Sequence, residues 1–162
     1  KLSGVISDMP LDFEAAKKMI ADKSSGEYHV VPDNAQMSWL ADKSKIYTQY
    51  SILLDGENIG HCIYKAEPEF GHIHVVDVFS IKSAYFPLIL DYIAQKERGN
   101  GMLSIFMPLN GMNKTHSSYI DEIKALGVLN FQKAGNFIIK TLDRKETITI
   151  EELAVTDLWL EL

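Results

Sequence analysis

Two periodicities divide the chain. Between Pro10 and Lys23 the apolar positions Phe13, Ala16, Met19 and Ile20 fall on one helical stripe, and Asp12 stands where an N-cap belongs. The polar run KSSGE (23–27) ends that helix. Residues Tyr28 to Lys45 hold no sustained period beyond a short helical pattern around Met37 to Ala41. From Ile46 the pattern turns strand-like. IYTQYSILL (46–54) and IGHCIYK (59–65) flank Asp55-Gly56, a dipeptide suited to a tight hairpin. AEPEFG (66–71) is a second turn. HIHVVDVFS (72–80) is a third strand, whose Val-rich centre predicts burial on both faces. Connections this short predict three antiparallel neighbours.

A helix from Ala84 to Glu97 follows, with Ser83 as its cap and Pro87 in the first turn, where a missing donor is tolerated. Gly99 or Gly101 ends it. MLSIFMP (102–108) is a fourth strand. It is reached from the third through a helix, which predicts parallel pairing in a βαβ unit. LNGMNKTH (109–116) reads as a loop, Ser117 or Ser118 as the cap of a helix to Leu126, and Gly127 as its left-handed stop. NFIIKTL (136–142) and LWLEL (158–162) read as further strands, while TITIEELAVTD (147–157) fits neither period. The expectation is one mixed α/β domain over residues 1–162, antiparallel in its N-terminal part, with one parallel strand pair and helices on both faces.

Bulk properties narrow the partners. A length of 162 residues, 46% of them apolar, suits one well-formed core. A formal net charge of −6 argues against broad nucleic-acid or anionic-membrane binding. The longest apolar run, Ala84 to Leu90, is too short to span a bilayer. No signal-peptide pattern opens the chain, and a start at Lys1 reads as a segment of a longer protein. The single cysteine, Cys62, excludes an internal disulfide and fits a reducing cytoplasm.

Several stretches together carry a family likeness. YSILLDGENIGHCIYK, HVVDVFS with the helix after it, and SSYIDEIKALGVLNFQKAGNFIIK resemble the central hairpin, the cofactor strand and helix, and the late helix, turn and strand of the GNAT superfamily of N-acetyltransferases. SWLADKSKIYTQYSIL and the terminal DLWLEL are similar to segments of some bacterial acetyltransferase-like proteins. The likeness covers Pro10 to Leu162. It implies acetyl-coenzyme A as acyl donor, a small amine as acceptor, and direct attack of that amine on the thioester. It places coenzyme contacts at Val78, Phe79, Ser80, Ile81, Lys82, Ser83 and Ala84. It equally admits a non-catalytic domain that packs on a second GNAT-like domain, or on another copy of itself.

Three departures bear on that function. The family's pyrophosphate loop carries glycines that let backbone N–H groups close on phosphate. The matching Phe79 to Ala84 has none, so weak coenzyme binding is expected, with Ser80, Lys82 and Ser83 as substitute donors. Ser83 as a plain helix cap and Lys82 as a solvated cation are the competing reading. The family's proton-donating tyrosine falls on Ile123, and Tyr119, one turn earlier, is either its replacement or a core residue. The base candidates on the matching strand are His72, His74 and Asp77, of which His74 and Asp77 are taken forward. Asp77 stands among Val75, Val76, Val78 and Phe79, an expensive place for an unpaired carboxylate. In a regular strand Asp77 faces away from His72 and His74, and a β-bulge reverses that. A metal reading of His61, His72 and His74 lacks a third ligand type at useful spacing, so no metal is assigned. Mid-strand Cys62 reads as core rather than nucleophile.

Overall fold

The computed structural model describes residues 4–23, 28–29, 46–102, 104–107, 109, 113–126 and 153–154. The strands are β1 (Ile6–Pro10), β2 (Tyr28–His29), β3 (Thr48–Leu54), β4 (Glu57–Glu67), β5 (His72–Ser80), β6 (Ser104–Phe106) and β7 (Leu153–Ala154). The helices are α1 (Phe13–Lys23), α2 (Phe86–Glu97) and α3 (Lys114–Ala125). β1, β3, β4, β5 and β6 form one sheet in that order, and β2 pairs with β7 in parallel.

The hairpin turn carries the positive φ angles its sequence requires, 51° at Asp55 and 85° at Gly56. β3–β4 and β4–β5 are antiparallel, and β5–β6 is parallel across the α2 crossover. The parallel pair matches His72–His74 with Ser104–Phe106, nearer the start of β5 than its Val-rich centre. β1 is an element the hydrophobic pattern did not show. ISDMP is short and mostly polar, and it becomes a strand because Ile6–Pro10 pairs with Tyr50–Leu54 at the sheet edge. Pro10 is therefore the end of a strand, and α1 starts at Phe13 with the Asp12 carboxylate accepting from the Ala15 N–H at 3.0 Å.

The sheet is covered on both faces. Phe86, Ile89 and Ile93 of α2 and Tyr119 of α3 bury one face with Cys62, Tyr64, Ile73, Val75 and Val78. On the other face Ile63 and Val76 pack against Leu11, Phe13 and Tyr47, beside α1. Two cap assignments change. Ser83 caps no helix: residues Ser83–Tyr85 form a 3₁₀ turn and α2 begins only at Phe86, with Pro87 in its first turn. α3 begins earlier than Ser117, because Asn113 is extended and its side chain accepts from the His116 N–H. Gly101, at φ 81°, closes the short 3₁₀ turn after α2 by donating its N–H to the Arg98 carbonyl. The patterns at Met37–Ala41, Gly127, 136–142 and 158–162 lie outside the described residues.

Candidate active site

The β4–β5 register shifts at one place. Tyr64 stands opposite Val75, whereas the preceding Ile63 stands opposite Asp77, so Val76 is an extra residue. This bulge turns Asp77 onto the face shared by His74, Val76 and Phe79, the face that carries α1. His61, opposite Phe79, lies on the same face. Its Nε2 is 3.1 Å from Oδ2 of Asp77, and its ring stacks on Phe79 at 6.0 Å. His61 is only 3% exposed, and its Nδ1 is buried with no hydrogen-bond partner among the described residues. Burial pushes the thiol of neighbouring Cys62 well above its ordinary value, and the charge of Asp77 adds to the shift.

The second feature lies along the other edge of β5. Among the described residues β6 pairs with β5 as far as His74, while β5 runs on to Ser80. At the far end the Tyr119 hydroxyl reaches in from α3. It accepts from the Ser80 N–H at 2.9 Å and donates to the Ser80 carbonyl at 3.0 Å. The Tyr119 ring is buried and stacks on Phe86 at 4.2 Å.

Neither a protein-family model nor a curated protein matches the sequence. Solved structures do match in shape. An aminoglycoside acetyltransferase from an uncultured soil metagenomic sample superposes with a TM-score of 0.56 at 11% identity, over 85% of this chain and 96% of that one. A ribosomal-protein-alanine N-acetyltransferase from Brucella melitensis biovar Abortus 2308 gives 0.55 at 13%, over 86% and 99%. AAC(6')-Iy, solved with the bisubstrate analogue CoA-S-monomethyl-acetylneamine, gives 0.53 at 14%, over 86% and 100%. The chain has the GNAT fold.

The β5–α2 junction of this GNAT fold has many of its polar groups engaged within the chain. Among the described residues β5 has no β6 partner from Val75 to Ser80. Tyr85 and Phe86 spend their N–H groups on the carbonyls of Lys82 and Ser83, and Pro87 has none. The Ser80 hydroxyl donates to the Lys82 carbonyl at 2.6 Å, and the Ser83 hydroxyl donates to the Glu122 carboxylate at 3.1 Å. Only Lys82 is exposed with a cationic head, 3.4 Å from the Tyr85 hydroxyl. The turn has no glycine, and α3 brings the Glu122 carboxylate to it.

The structure brings Asp77 and His74 onto one sheet face and sets Tyr119 on the opposite one, at the β5 edge. His61 was considered in the sequence only as a metal ligand. Among the described residues no group of three or more His, Cys, Asp and Glu side chains is placed to hold a metal ion. His72 is engaged elsewhere, its Nε2 2.7 Å from the Glu67 carboxylate. The signal that pointed to His61 was the carboxylate of Asp77 in an apolar strand, which needed a partner on a neighbouring strand. No helix among the described residues is long and apolar enough to cross a membrane.

Proposed function

We propose that this chain is an N-acyltransferase that takes an acyl group from a coenzyme A thioester and passes it to an amine. The observation that carries the reading is the Val76 bulge in β5, beside a stretch from Val75 to Ser80 that has no β6 partner among the described residues, in a fold shared with acetyltransferases. The thioester supplies an activated carbonyl. In this reading the β5 edge from Val78 to Ser80 holds the acyl-bearing arm, Lys82 is the main charge for the phosphates, and Ser83 and Ala84 border them. Asp77 and His74 line the acceptor side, where an ammonium must lose a proton before it can attack. Tyr119 positions the β5 edge through Ser80. Direct attack needs positioning above all, which a rigid sheet edge provides.

A second reading is favoured by the same junction. The Tyr119 hydroxyl and Glu122 occupy groups that a coenzyme would use, as expected of a GNAT domain that has become a binding partner of a catalytic one. Calorimetry with acetyl-coenzyme A, together with acetyl transfer to a panel of primary amines, separates the two. For the enzyme, weak binding and measurable transfer are expected. Tyr119→Phe, which frees the Ser80 N–H and carbonyl, should tighten binding by about tenfold, equal to roughly 1.4 kcal/mol and the net worth of one hydrogen bond. Absence of binding and of transfer in both proteins would rule out the enzyme and leave the partner domain.

A further inference from the structure

The pair formed by His61 and Asp77 has a chemical consequence of its own. An ionised carboxylate can only accept a hydrogen bond, so the proton of a neutral His61 ring must sit on Nε2, which faces Asp77 Oδ2 at 3.1 Å. Nδ1 then carries a bare lone pair. That atom is buried and lacks a partner among the described residues, although a buried acceptor left unmade is costly. Among the described residues no cation is hydrogen-bonded to it. Ser51, opposite on β3, is uncharged. On β5 the facing groups are Asp77 and the more distant His74, and on α1 Lys17 is paired with Glu14 at 3.1 Å. Phe79 fixes the ring plane by stacking.

We infer that Nδ1 of His61 is the proton acceptor for the acceptor amine, reached directly or through one water, with Asp77 as the positioning residue that sets the tautomer. This rests on the acyltransferase reading. The ammonium gives its first proton to Nδ1, and the imidazolium formed is balanced by the Asp77 carboxylate. The freed nitrogen lone pair forms the C–N bond to the thioester carbonyl carbon. The C–S bond breaks with its electron pair on sulfur, and the second nitrogen proton passes to that sulfur. The pair thus supplies an imidazole nitrogen as base, with a carboxylate beside it to balance the charge.

The test combines kinetics with a measurement on the ring. Acetyl transfer from acetyl-coenzyme A to primary amines is followed as kcat/KM against pH for the wild type, His61→Gln and Asp77→Asn. The wild type should show an acid limb set by one group. His61→Gln should abolish that limb and lower the neutral-pH rate by about 10²–10⁴-fold. Asp77→Asn removes the charge that favours imidazolium and should move the limb to lower pH. Nitrogen-15 NMR of the wild type should find the neutral ring protonated on Nε2, a result that does not depend on whether His61→Gln folds. A proton on Nδ1, or an unchanged limb and rate in a folded His61→Gln, overturns the assignment while leaving the acyltransferase reading intact. A wild type that transfers to no amine overturns both.

Discussion

Gly60 shows how little room the centre of the sheet leaves. A Cβ built there would stand 2.1 Å from the Phe79 carbonyl oxygen and 2.9 Å from Ile89 Cδ1. The first of these is backbone, and β5 is held in place beside it by the Ile81 N–H bonded to the Ile59 carbonyl at 3.0 Å. Gly60→Ala must therefore push β4 and β5 apart, just beside the His61–Asp77 pair. We expect a loss of about 3 kcal/mol, at the upper end for overpacking because no flexible side chain can yield. Chemical denaturation of the purified variant checks this; a loss below about 1 kcal/mol would show that the strands adjust freely. The glycine was visible in the sequence as part of a hairpin motif, but the reason for it was not. It lies in the adjacent strand β5, some twenty residues on in the chain.

At the scale of elements, the strands from β3 to β5 were legible because each combines a period-two pattern with turn residues that force the next reversal. The α2 and α3 starts were less so. Ser83 and Ser117 have the right chemistry for caps, yet Ser83 donates to Glu122 and the α3 cap is Asn113, at the end of a stretch that reads as loop. Cap preference is local, and several polar residues in a row compete for the position. The bulge at Val76 was legible only as an option, since nothing in VVDVF distinguishes a regular strand from one with an extra residue. Half of the candidate site hung on that residue, because it decides which face Asp77 takes. Asn113 is fully buried, so its cap anchors α3 and with it Tyr119. Asn113→Ala should destabilise the protein by about 1–2 kcal/mol. Asn113→Asp, which keeps the accepting oxygen, should recover most of the helix content. Circular dichroism melts of the two variants measure this, and equal losses would show that the Asn113 cap hydrogen bond is not what holds α3.

Across the whole molecule, the edge strand β1 is joined to the body by side chains as well as by pairing with β3. The Asp8 carboxylate accepts from the Tyr92 hydroxyl and from Lys96 at 2.9 Å, both on α2, and the Lys96 ammonium lies 3.9 Å from the centre of the Tyr50 ring on β3. This cluster explains how a short polar segment that sequence alone does not mark as a strand becomes one. It also gives the fold a dependence on pH. Burial by itself would raise the Asp8 carboxyl, but the hydrogen bonds from Tyr92 and Lys96 and the Lys96 charge outweigh it, and the group is held below its usual value. A carboxyl depressed in the folded state stabilises the protein above its unfolded pKa, and that contribution is lost as pH falls through the lower folded value. For Lys96 burial acts downward, yet the hydrogen bond to Asp8 prevails and the pKa is raised, so its contribution holds below the unfolded value and is lost as pH rises through the higher folded one. The stabilisation therefore spans neutral pH and disappears at both ends. Asp8→Asn should cost about 1 kcal/mol or less at pH 7, since the pair is only partly buried. It should also narrow the difference in melting temperature from the wild type as pH falls below about 4, the region where an unfolded aspartate titrates. Melting curves of both proteins between pH 7 and the acid transition decide the matter. A difference that stays constant with pH would mean that Asp8 contributes by packing alone and that β1 is held by its backbone pairing with β3.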